Sequence, residues 1–139
     1  MKVIFLDIDG VLNIDSDRTI SVEKIKLLST IIKQTGAEVV LSSSWRYGWN
    51  EPTQNVEGKR VYNTKKLLKE YDIVIDKTIG LDLTKDIQIS NYLRANNPTS
   101  FVVIDDEIIN TPNFIHINGS VGITEKNCID AIFILNTTL

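Results

Sequence analysis

The sequence predicts an α/β fold in which helices cover both faces of a parallel β-sheet of about five strands. Five short apolar runs recur along the chain, and helix-like segments separate most of them. Apolar runs without polar alternation are typical of strands buried on both faces of a parallel sheet. Strands that alternate with helices indicate right-handed crossovers. The predicted strands are residues 3–6, 39–41, 73–75, 101–104 and 114–117.

Four helices are predicted between and after these strands. Ser21 can cap the first helix, and Gly36 is placed to end it. The second helix is predicted around residues 64–71. Thr84 and Thr124 can cap the third and fourth helices, because a hydroxyl oxygen can accept a bond from a free amide of the first helical turn.

The chain is expected to form a single domain over residues 1–139, because this length supports one hydrophobic core and leaves no room for a second. The longest segment without clear periodicity is residues 45–63, which contain Gly48, Pro52 and Gly58. Loops of this length inside a compact domain are usually functional or disordered. We therefore expect a loop or flap there, close to the functional site.

Composition and charge describe an ordinary globular protein. The chain carries 15 basic and 18 acidic residues, and its net charge of −3 argues against a protein that coats nucleic acids. Its one cysteine, Cys128, excludes an internal disulfide and makes a cysteine-ligated zinc site implausible. No run approaches the roughly 18–20 apolar residues that span a bilayer, and the N-terminus lacks a signal-peptide pattern. A cytoplasmic location is the expectation.

Two aspartates end the first predicted strand. Residues 3–6 lead directly into Asp7 and Asp9, which flank one apolar residue, and then into Gly10. Because charged side chains are rarely buried without a partner or a metal, we expect them at the carboxyl end of the strand, where open α/β sheets bind ligands. Strand residues two apart point to the same side, so both carboxylates can reach one hard cation. Gly10 permits the turn that follows.

Further polar groups come at or after the ends of later strands. They are Ser42, Ser43 and Ser44 after the second strand, Lys85 in the helix after the third, and Asp105 and Asp106 after the fourth. The carboxyl ends of parallel strands share one edge, so these groups can form one site with the first two aspartates. Several carboxylates favour Mg²⁺, which prefers to bridge carboxylates to a phosphate. A hydroxyl and a lysine suit the other phosphate oxygens. The set predicts phosphoryl transfer, with one aspartate as nucleophile and another as general acid and base.

In this order the four groups resemble the motifs of the haloacid dehalogenase (HAD) superfamily of phosphohydrolases. A response-regulator receiver domain uses similar groups in a different order along the chain. A narrower similarity, to the small HAD domain of Swiss Army Knife RNA repair proteins, spans roughly residues 2–135. Its matching segments are residues 40–46, 85–93, 103–106 and 122–124. The resemblance implies a three-layer Rossmann-like sheet with a minimal cap or none.

The resemblance also implies a role for each matching residue. Asp7 resembles the nucleophile and a metal ligand. Asp9 resembles the general acid/base, with its backbone carbonyl at the metal. Lys85 resembles the cation that pairs with Asp7 and the phosphoryl oxygens. Asp105 and Asp106 resemble the acidic pair that reaches Mg²⁺ directly or through water.

The second motif needs one hydroxyl, and three serines compete for it. We prefer Ser43, with Ser42 next, although Ser42, Ser43 and Ser44 could equally cap the following helix. Gly10, Ser42, Ser44 and Arg46 are the candidate substrate contacts, and Arg46 is chosen for its Ser-Trp-Arg context.

The expected activity is that of a magnesium-dependent phosphomonoesterase. The stretch after Gly10 is too short for a folded cap, so we expect an accessible site and a bulky substrate, such as an RNA or DNA end or a nucleotide. A sugar phosphate or small nucleotide stays open if a partner subunit supplies a cap. The alternative is a catalytically silent phosphate- or nucleotide-binding module.

Several other residues have a structural interpretation beside a functional one. Trp45 and Trp49 could stack on a base or could pack under the long loop. His116 lies in an apolar run and is expected to be a structural strand residue. Cys128 lies at helical spacing with apolar residues and is expected in the core.

Overall fold

The computed structural model describes residues 1–137 and confirms the predicted fold class. Its strands are β1 (Lys2–Leu6), β2 (Glu38–Leu41), β3 (Lys77–Thr78), β4 (Ser100–Asp105) and β5 (Phe114–His116). Within the described range they form one parallel sheet in the order β3-β2-β1-β4-β5. The central strand is β1, in which Leu6 pairs with Leu41 on one side and Ile104 on the other.

The helices are α1 (Val22–Thr35), α2 (Val56–Lys69), α3 (Lys85–Asn96) and α4 (Glu125–Asn136), with a 3₁₀ helix at Ser44–Gly48. Ser21 caps α1, Gly36 ends it in a left-handed conformation, and Thr124 caps α4, as predicted. Thr84 occupies the cap position of α3, but its hydroxyl donates to Asp86 and accepts no amide bond from the helix. None of these helices, across residues 1–137, has the length and apolar character needed to cross a membrane.

The sheet separates two hydrophobic clusters. Ile4 and Leu6 of β1 belong to a cluster that also contains apolar residues of α1, α2 and α4. Val3 and Phe5 point to the opposite face, where Ile89 of α3 joins them. This alternation along β1 is the period of a strand with both faces buried. The helices therefore form a layer on each face of the sheet.

The prediction of a strand at residues 73–75 is wrong. Ile73 and Ile75 are buried while Val74 is 70% exposed, so the segment anchors itself in the core by two side chains. The Ile75 carbonyl accepts a hydrogen bond from Trp49 Nε1. The edge strand β3 forms two residues later, where Lys77 pairs with Val40.

The segment 45–63 contains more regular structure than predicted. It includes most of the 3₁₀ helix and, from Val56, the first turns of α2, so the predicted helix at 64–71 begins too late. Most residues in these turns are exposed and polar, so the sequence shows no apolar repeat there that would predict a helix. Asn55 caps α2 by accepting a bond from the Gly58 amide (3.1 Å). Only residues 49–55 lie outside the helices.

Candidate active site

Polar residues from three neighbouring strands meet at the carboxyl edge of the sheet. Asp7 follows β1, Ser42 follows β2 and Asp105 ends β4. Backbone hydrogen bonds continue past the strand ends, since the Asp7 amide donates to the Ile104 carbonyl (3.0 Å) and the Ser42 amide to the Leu6 carbonyl (2.9 Å). These bonds hold the three strand ends side by side.

Asp7, Asp105 and Asp106 form a carboxylate cluster beside Lys85, the first residue of α3. One oxygen of each carboxylate lies within 4.8 Å of the others. Lys85 Nζ lies 3.0 Å from Asp105 Oδ2, 3.7 Å from Asp7 Oδ1 and 3.5 Å from Glu107 Oε1. Asp7 and Asp105 are buried. Several negative charges thus face one ammonium group at the end of the sheet.

The pKa values report this excess of negative charge. Burial and the Asp105 carboxylate, with a smaller effect of Asp106, raise the pKa of Asp7 to about 9 against the opposing effect of Lys85. Burial also raises the pKa of Asp105. Burial by itself lowers the pKa of Lys85, but Asp7, Asp105 and Glu107 outweigh it and raise that pKa above its ordinary value. One lysine does not suffice to keep both buried carboxylates ionised.

The donor set of the cluster fits a magnesium ion. Asp7, Asp105 and Asp106 offer hard carboxylate oxygens close enough together to hold one ion. Mg²⁺ is typically bound through one or two carboxylates, waters and the phosphate of a substrate. A divalent cation would also supply the positive charge that the cluster lacks.

Asp9 is not among the converging carboxylates. Its side chain is 34% exposed, and Oδ2 accepts a hydrogen bond from Trp45 Nε1 (3.0 Å). Oδ1 accepts a hydrogen bond from Asn13 Nδ2 (2.9 Å) and lies 3.5 Å from the Arg18 guanidinium. The predicted contact of its backbone carbonyl with a metal stays a prediction. Asp9 follows Asp7 by two residues and is partly open to solvent, so its carboxyl group can exchange a proton with water.

Gly10 allows the turn after β1 to approach Asp106. Its φ is +80°, and a Cβ atom there would lie 2.6 Å from the Asp106 Cγ atom. The Gly10 amide donates to Asn13 Oδ1 (2.8 Å). The close approach to Asp106 gives Gly10 a structural reason to be glycine, whatever its predicted role in substrate binding.

The three candidate serines differ in their surroundings. Ser43 Oγ accepts a bond from the Trp45 amide (3.1 Å) and so caps the 3₁₀ helix. Ser42 is fully buried, and its Oγ has no hydrogen-bond partner anywhere in residues 1–137. Ser44 is exposed. Because the Ser43 hydroxyl already serves as a cap while that of Ser42 does not, these contacts favour Ser42 over Ser43, which we preferred from the sequence.

Arg46 has a different environment from the one expected of a substrate contact. Its side chain is buried, with Nε donating to the Gly80 carbonyl (3.0 Å). Nη1 donates to the carbonyls of Ser42 and Ser43 (both 3.1 Å). These bonds tie the loop after β2 to the loop after β3. They favour a role in positioning the serines over direct contact with substrate.

Some residues around the site were not singled out by sequence reasoning. Asn13 is buried and bonds both Gly10 and Asp9. In the sequence, an asparagine four residues after Asp9 looks the same as an asparagine in an exposed loop. Arg18 and Glu107 were missed for the same reason, since an isolated charge predicts a solvated position.

The two tryptophans, His116 and Cys128 lie in different surroundings. Trp49 is fully buried, which agrees with packing under the loop, whereas Trp45 is half-buried and bonds Asp9. His116 lies in β5 with Nε2 2.9 Å from the Asp106 carbonyl oxygen. Cys128 is buried in the core, as expected.

Two cavities flank the site. The first, of about 420 Å³, lies between the 3₁₀ helix and α2 and is lined in part by Asp9; we call it the Asp9-side cavity. The second, of about 780 Å³, is lined in part by Lys85 and is called the Lys85-side cavity. Ser44 and Tyr47 line both.

Comparison with known proteins agrees with this geometry. Residues 3–128 match the family model described as the HAD domain in Swiss Army Knife RNA repair proteins. The matched range contains every polar group at the sheet edge, from Asp7 to Asp106, and a HAD domain suggests a phosphatase-type hydrolase. Comparisons with curated proteins and with solved structures gave no match. The chain therefore belongs to the family of HAD domains found in Swiss Army Knife RNA repair proteins.

Proposed function

We propose that this protein is a magnesium-dependent phosphomonoesterase that transfers a phosphoryl group first to Asp7 and then to water. The observation that carries the proposal is the cluster of Asp7, Asp105 and Asp106 beside Lys85. Strongly shifted carboxylates at a ligand-binding edge are typical of catalytic sites. Their repulsion is relieved when a cation and the substrate phosphate are present.

The residues divide the reaction into two steps. In the first, an Asp7 oxygen forms a bond to phosphorus while the bond to the leaving oxygen breaks, and Asp9 donates a proton to that oxygen. In the second, Asp9 takes a proton from a water that attacks the phosphorus and releases Asp7. Lys85 and Ser42 donate hydrogen bonds to phosphoryl oxygens. Magnesium, held by Asp7, Asp105 and Asp106, would supply positive charge that favours ionised Asp7 and offsets charge on the phosphate.

We further propose that the substrate is bulky and accessible, such as a nucleotide or a nucleic-acid end. Between Gly10 and α1 the structure has one short bridge, from Ile14 to Asp17. Residues 49–55, another non-helical segment near the site, are also too short to fold into a cap. The RNA repair context in the family description supports the same substrate class.

Hydrolysis of p-nitrophenyl phosphate by the wild type and by Asp7→Asn, with and without Mg²⁺, tests the proposal. We expect metal-dependent hydrolysis and a loss of at least about a thousandfold in Asp7→Asn, because the nucleophile is removed. Asp130→Asn, which changes an acid on α4, should keep full activity.

Activity that survives Asp7→Asn would contradict the nucleophile, and activity without a divalent ion would contradict the metal dependence. Magnesium binding without hydrolysis of any phosphoester would favour the silent phosphate- or nucleotide-binding module. A panel of RNA and DNA ends, nucleotides and sugar phosphates then tests the substrate class, and a clear preference for sugar phosphates would contradict it.

A further inference from the structure

We propose that the Asp9-side cavity binds the nucleoside part of the leaving group, with the base stacked against Trp45 and Arg60. The assignment rests on the proposed function, because it requires Asp9 to protonate the leaving oxygen. It adds a recognition site built by the 3₁₀ helix, the loop 49–55 and the start of α2.

The position of Asp9 decides which cavity receives the leaving group. A general acid must lie within hydrogen-bond reach of the oxygen that it protonates. Asp9 lines the first cavity, whereas Lys85 and Glu107 line the second. A phosphomonoester whose phosphorus faces Asp7 therefore directs its alcohol part towards the Asp9-side cavity.

The lining of this cavity suits a nucleobase. The Arg60 guanidinium carbon lies 4.9 Å from the centre of the Trp45 ring, and Tyr47 adds a second aromatic side chain. Aromatic rings and guanidinium planes are the surfaces on which proteins stack bases. Asn55 and Glu57 also line the cavity and can bond the polar edge of a base. The phenyl ring of a phosphotyrosine would leave these groups without a partner.

The cavity is formed before a ligand binds. Gly58 packs against the loop so closely that a Cβ atom there would overlap the Thr53 carbonyl. The Asn55 side chain accepts from the Gly58 amide, which fixes the loop to α2. Trp45 is held by its bond to Asp9. A volume of about 420 Å³ lies within the usual range for small-molecule sites, and a preformed site loses little entropy on binding.

The Lys85-side cavity has a different lining. It combines exposed apolar side chains with acidic ones: Leu81, Leu83, Ile87 and Ile108 beside Asp82, Asp86 and Glu107. A nucleotide or nucleic-acid end carries negative charge, but Lys85 and Arg46 also line this cavity, so charge does not separate the two cavities. The Trp45–Arg60 surface does, because Trp45 and Arg60 line only the Asp9-side cavity of the two. Arg60 offers an exposed cation to such a substrate on the other side of the site.

Steady-state kinetics with Mg²⁺ test the assignment through the leaving group. We expect a higher kcat/KM for nucleoside monophosphates than for glycerol phosphate or phosphotyrosine. Arg60→Gln and Tyr47→Leu should each lower kcat/KM for the nucleotides about tenfold, mainly through KM, because a stacking surface is lost. Both variants should stay within about twofold of the wild type on glycerol phosphate.

Two matched variants control for changes at the surface. Arg94→Gln removes an exposed arginine near the far end of α3. Tyr62→Leu removes a tyrosine that is 64% exposed, compared with 62% for Tyr47. Neither lines the Asp9-side cavity, so both should behave as the wild type on every substrate.

Binding of adenosine, which has no phosphate, tests the cavity apart from catalysis. We expect adenosine to quench tryptophan fluorescence, Arg60→Gln to weaken the quenching, and Trp45→Phe to remove most of it, since Trp49 is fully buried. Phosphatase activity without preference for nucleotides, or with preference for phosphotyrosine, would overturn the inference and leave the proposed function intact. Adenosine binding that depends on Arg60, without hydrolysis of any phosphomonoester, would support the nucleoside site but overturn the proposed function.

Discussion

Asp7 and Asp9 are two residues apart in the sequence, yet they lie in contrasting surroundings. The Asp7 side chain is 6% exposed, packs beside Asp105 and Lys85, and has a pKa raised to about 9. The Asp9 side chain is 34% exposed and accepts hydrogen bonds from the neutral donors of Asn13 and Trp45. Asp7 is buried among charges, whereas the partly exposed Asp9 is held by two hydrogen bonds and by Arg18, whose guanidinium lies 3.5 Å from Oδ1.

The difference follows from where each residue lies relative to the sheet. The Asp7 amide still bonds the β4 backbone, so its side chain is enclosed between neighbouring strand ends. Asp9 lies in the turn beyond them, where donors come from the loop after β1 and from the 3₁₀ helix. We call the residues around Asp7 the Asp7 side and those around Asp9 the Asp9 side. Substitutions on the Asp7 side should therefore alter the charge of the carboxylate cluster and its metal affinity. Substitutions on the Asp9 side should alter how the Asp9 carboxyl group is aligned with the leaving oxygen.

The largest effect is expected in the pH dependence of stability without a divalent cation. The pKa of Asp7 is about 9 in the folded protein against its ordinary value of 3.8, so between these values the folded state keeps a proton that the unfolded chain loses. The free energy of unfolding should be highest below about pH 4 as far as Asp7 is concerned, and should fall by several kcal/mol as pH rises towards 9. Urea denaturation in EDTA over this pH range measures it.

Substitutions at the two aspartates sharpen that measurement. Asp7→Asn should flatten the slope, whereas Asp9→Asn should leave most of it. Adding Mg²⁺ should stabilise the wild type most at the alkaline end, where the ionised cluster binds it best. A flat profile for the wild type in EDTA would contradict the electrostatic description of the Asp7 side.

The next largest effect is expected at the serines on the Asp7 side. Ser42→Ala should lower kcat about a hundredfold, because a donor to the phosphoryl group is lost, without loss of stability, because its hydroxyl has no partner in residues 1–137. Ser43→Ala should instead cost about 1 kcal/mol of stability through the lost cap. Kinetics and urea denaturation of both variants distinguish them, and the reverse pattern would restore Ser43 as the motif-two hydroxyl.

A smaller effect is expected at Gly10, which follows Asp9 in the sequence and packs against Asp106 of the carboxylate cluster. Gly10→Ala should displace Asp106 and weaken Mg²⁺ binding between about tenfold and a hundredfold, as measured by calorimetry. Gly36→Ala is the matched control, because Gly36 has a similar φ of +72° but no atom within 4 Å of the new Cβ. It should cost about 1 kcal/mol of stability and leave magnesium affinity unchanged. Equal affinities in the two variants would contradict the role of the close approach.

The smallest effect is expected at Trp45, on the Asp9 side. Trp45→Phe keeps an aromatic ring but removes the donor to Asp9, and should lower kcat for glycerol phosphate about fivefold. Trp49→Phe removes a bond to the buried Ile75 carbonyl and should lower stability by about 1–3 kcal/mol with less effect on kcat. A larger loss of kcat in Trp49→Phe would contradict the assignment of Trp45.

The sequence predicted the sheet, and the edge at which its polar groups meet, because both follow from local signals. An apolar run that ends in polar residues identifies a buried strand and the edge where it stops, as at Asp7 and Asp105. The third strand was misplaced because the apolar segment 73–75 packs by side chains alone, while β3 is formed by Lys77 and Thr78. Edge pairing of this kind depends on the neighbouring strand and leaves no apolar pattern.

The hydrogen bonds around Asp9 could not be predicted for a related reason. Asn13 and Trp45 donate to the same carboxylate from different parts of the chain. Neither local sequence predicts that these two side chains share an acceptor. The sequence does not distinguish Ser42 from Ser43 for a similar reason, because adjacent serines differ only in which one the 3₁₀ helix uses as its cap.

The central position of β1 in the sheet has a consequence for folding kinetics. Its partner β4 lies about a hundred residues away along the chain, and closing so long a loop is slow. The cost of bringing Asp7 and Asp105 together, whether as repulsion or as uptake of a proton, arises only after these two strands have paired, so it favours reopening. A magnesium ion held by both residues should therefore act chiefly on the unfolding rate. The metal proposed for catalysis would then also determine how long each molecule stays folded.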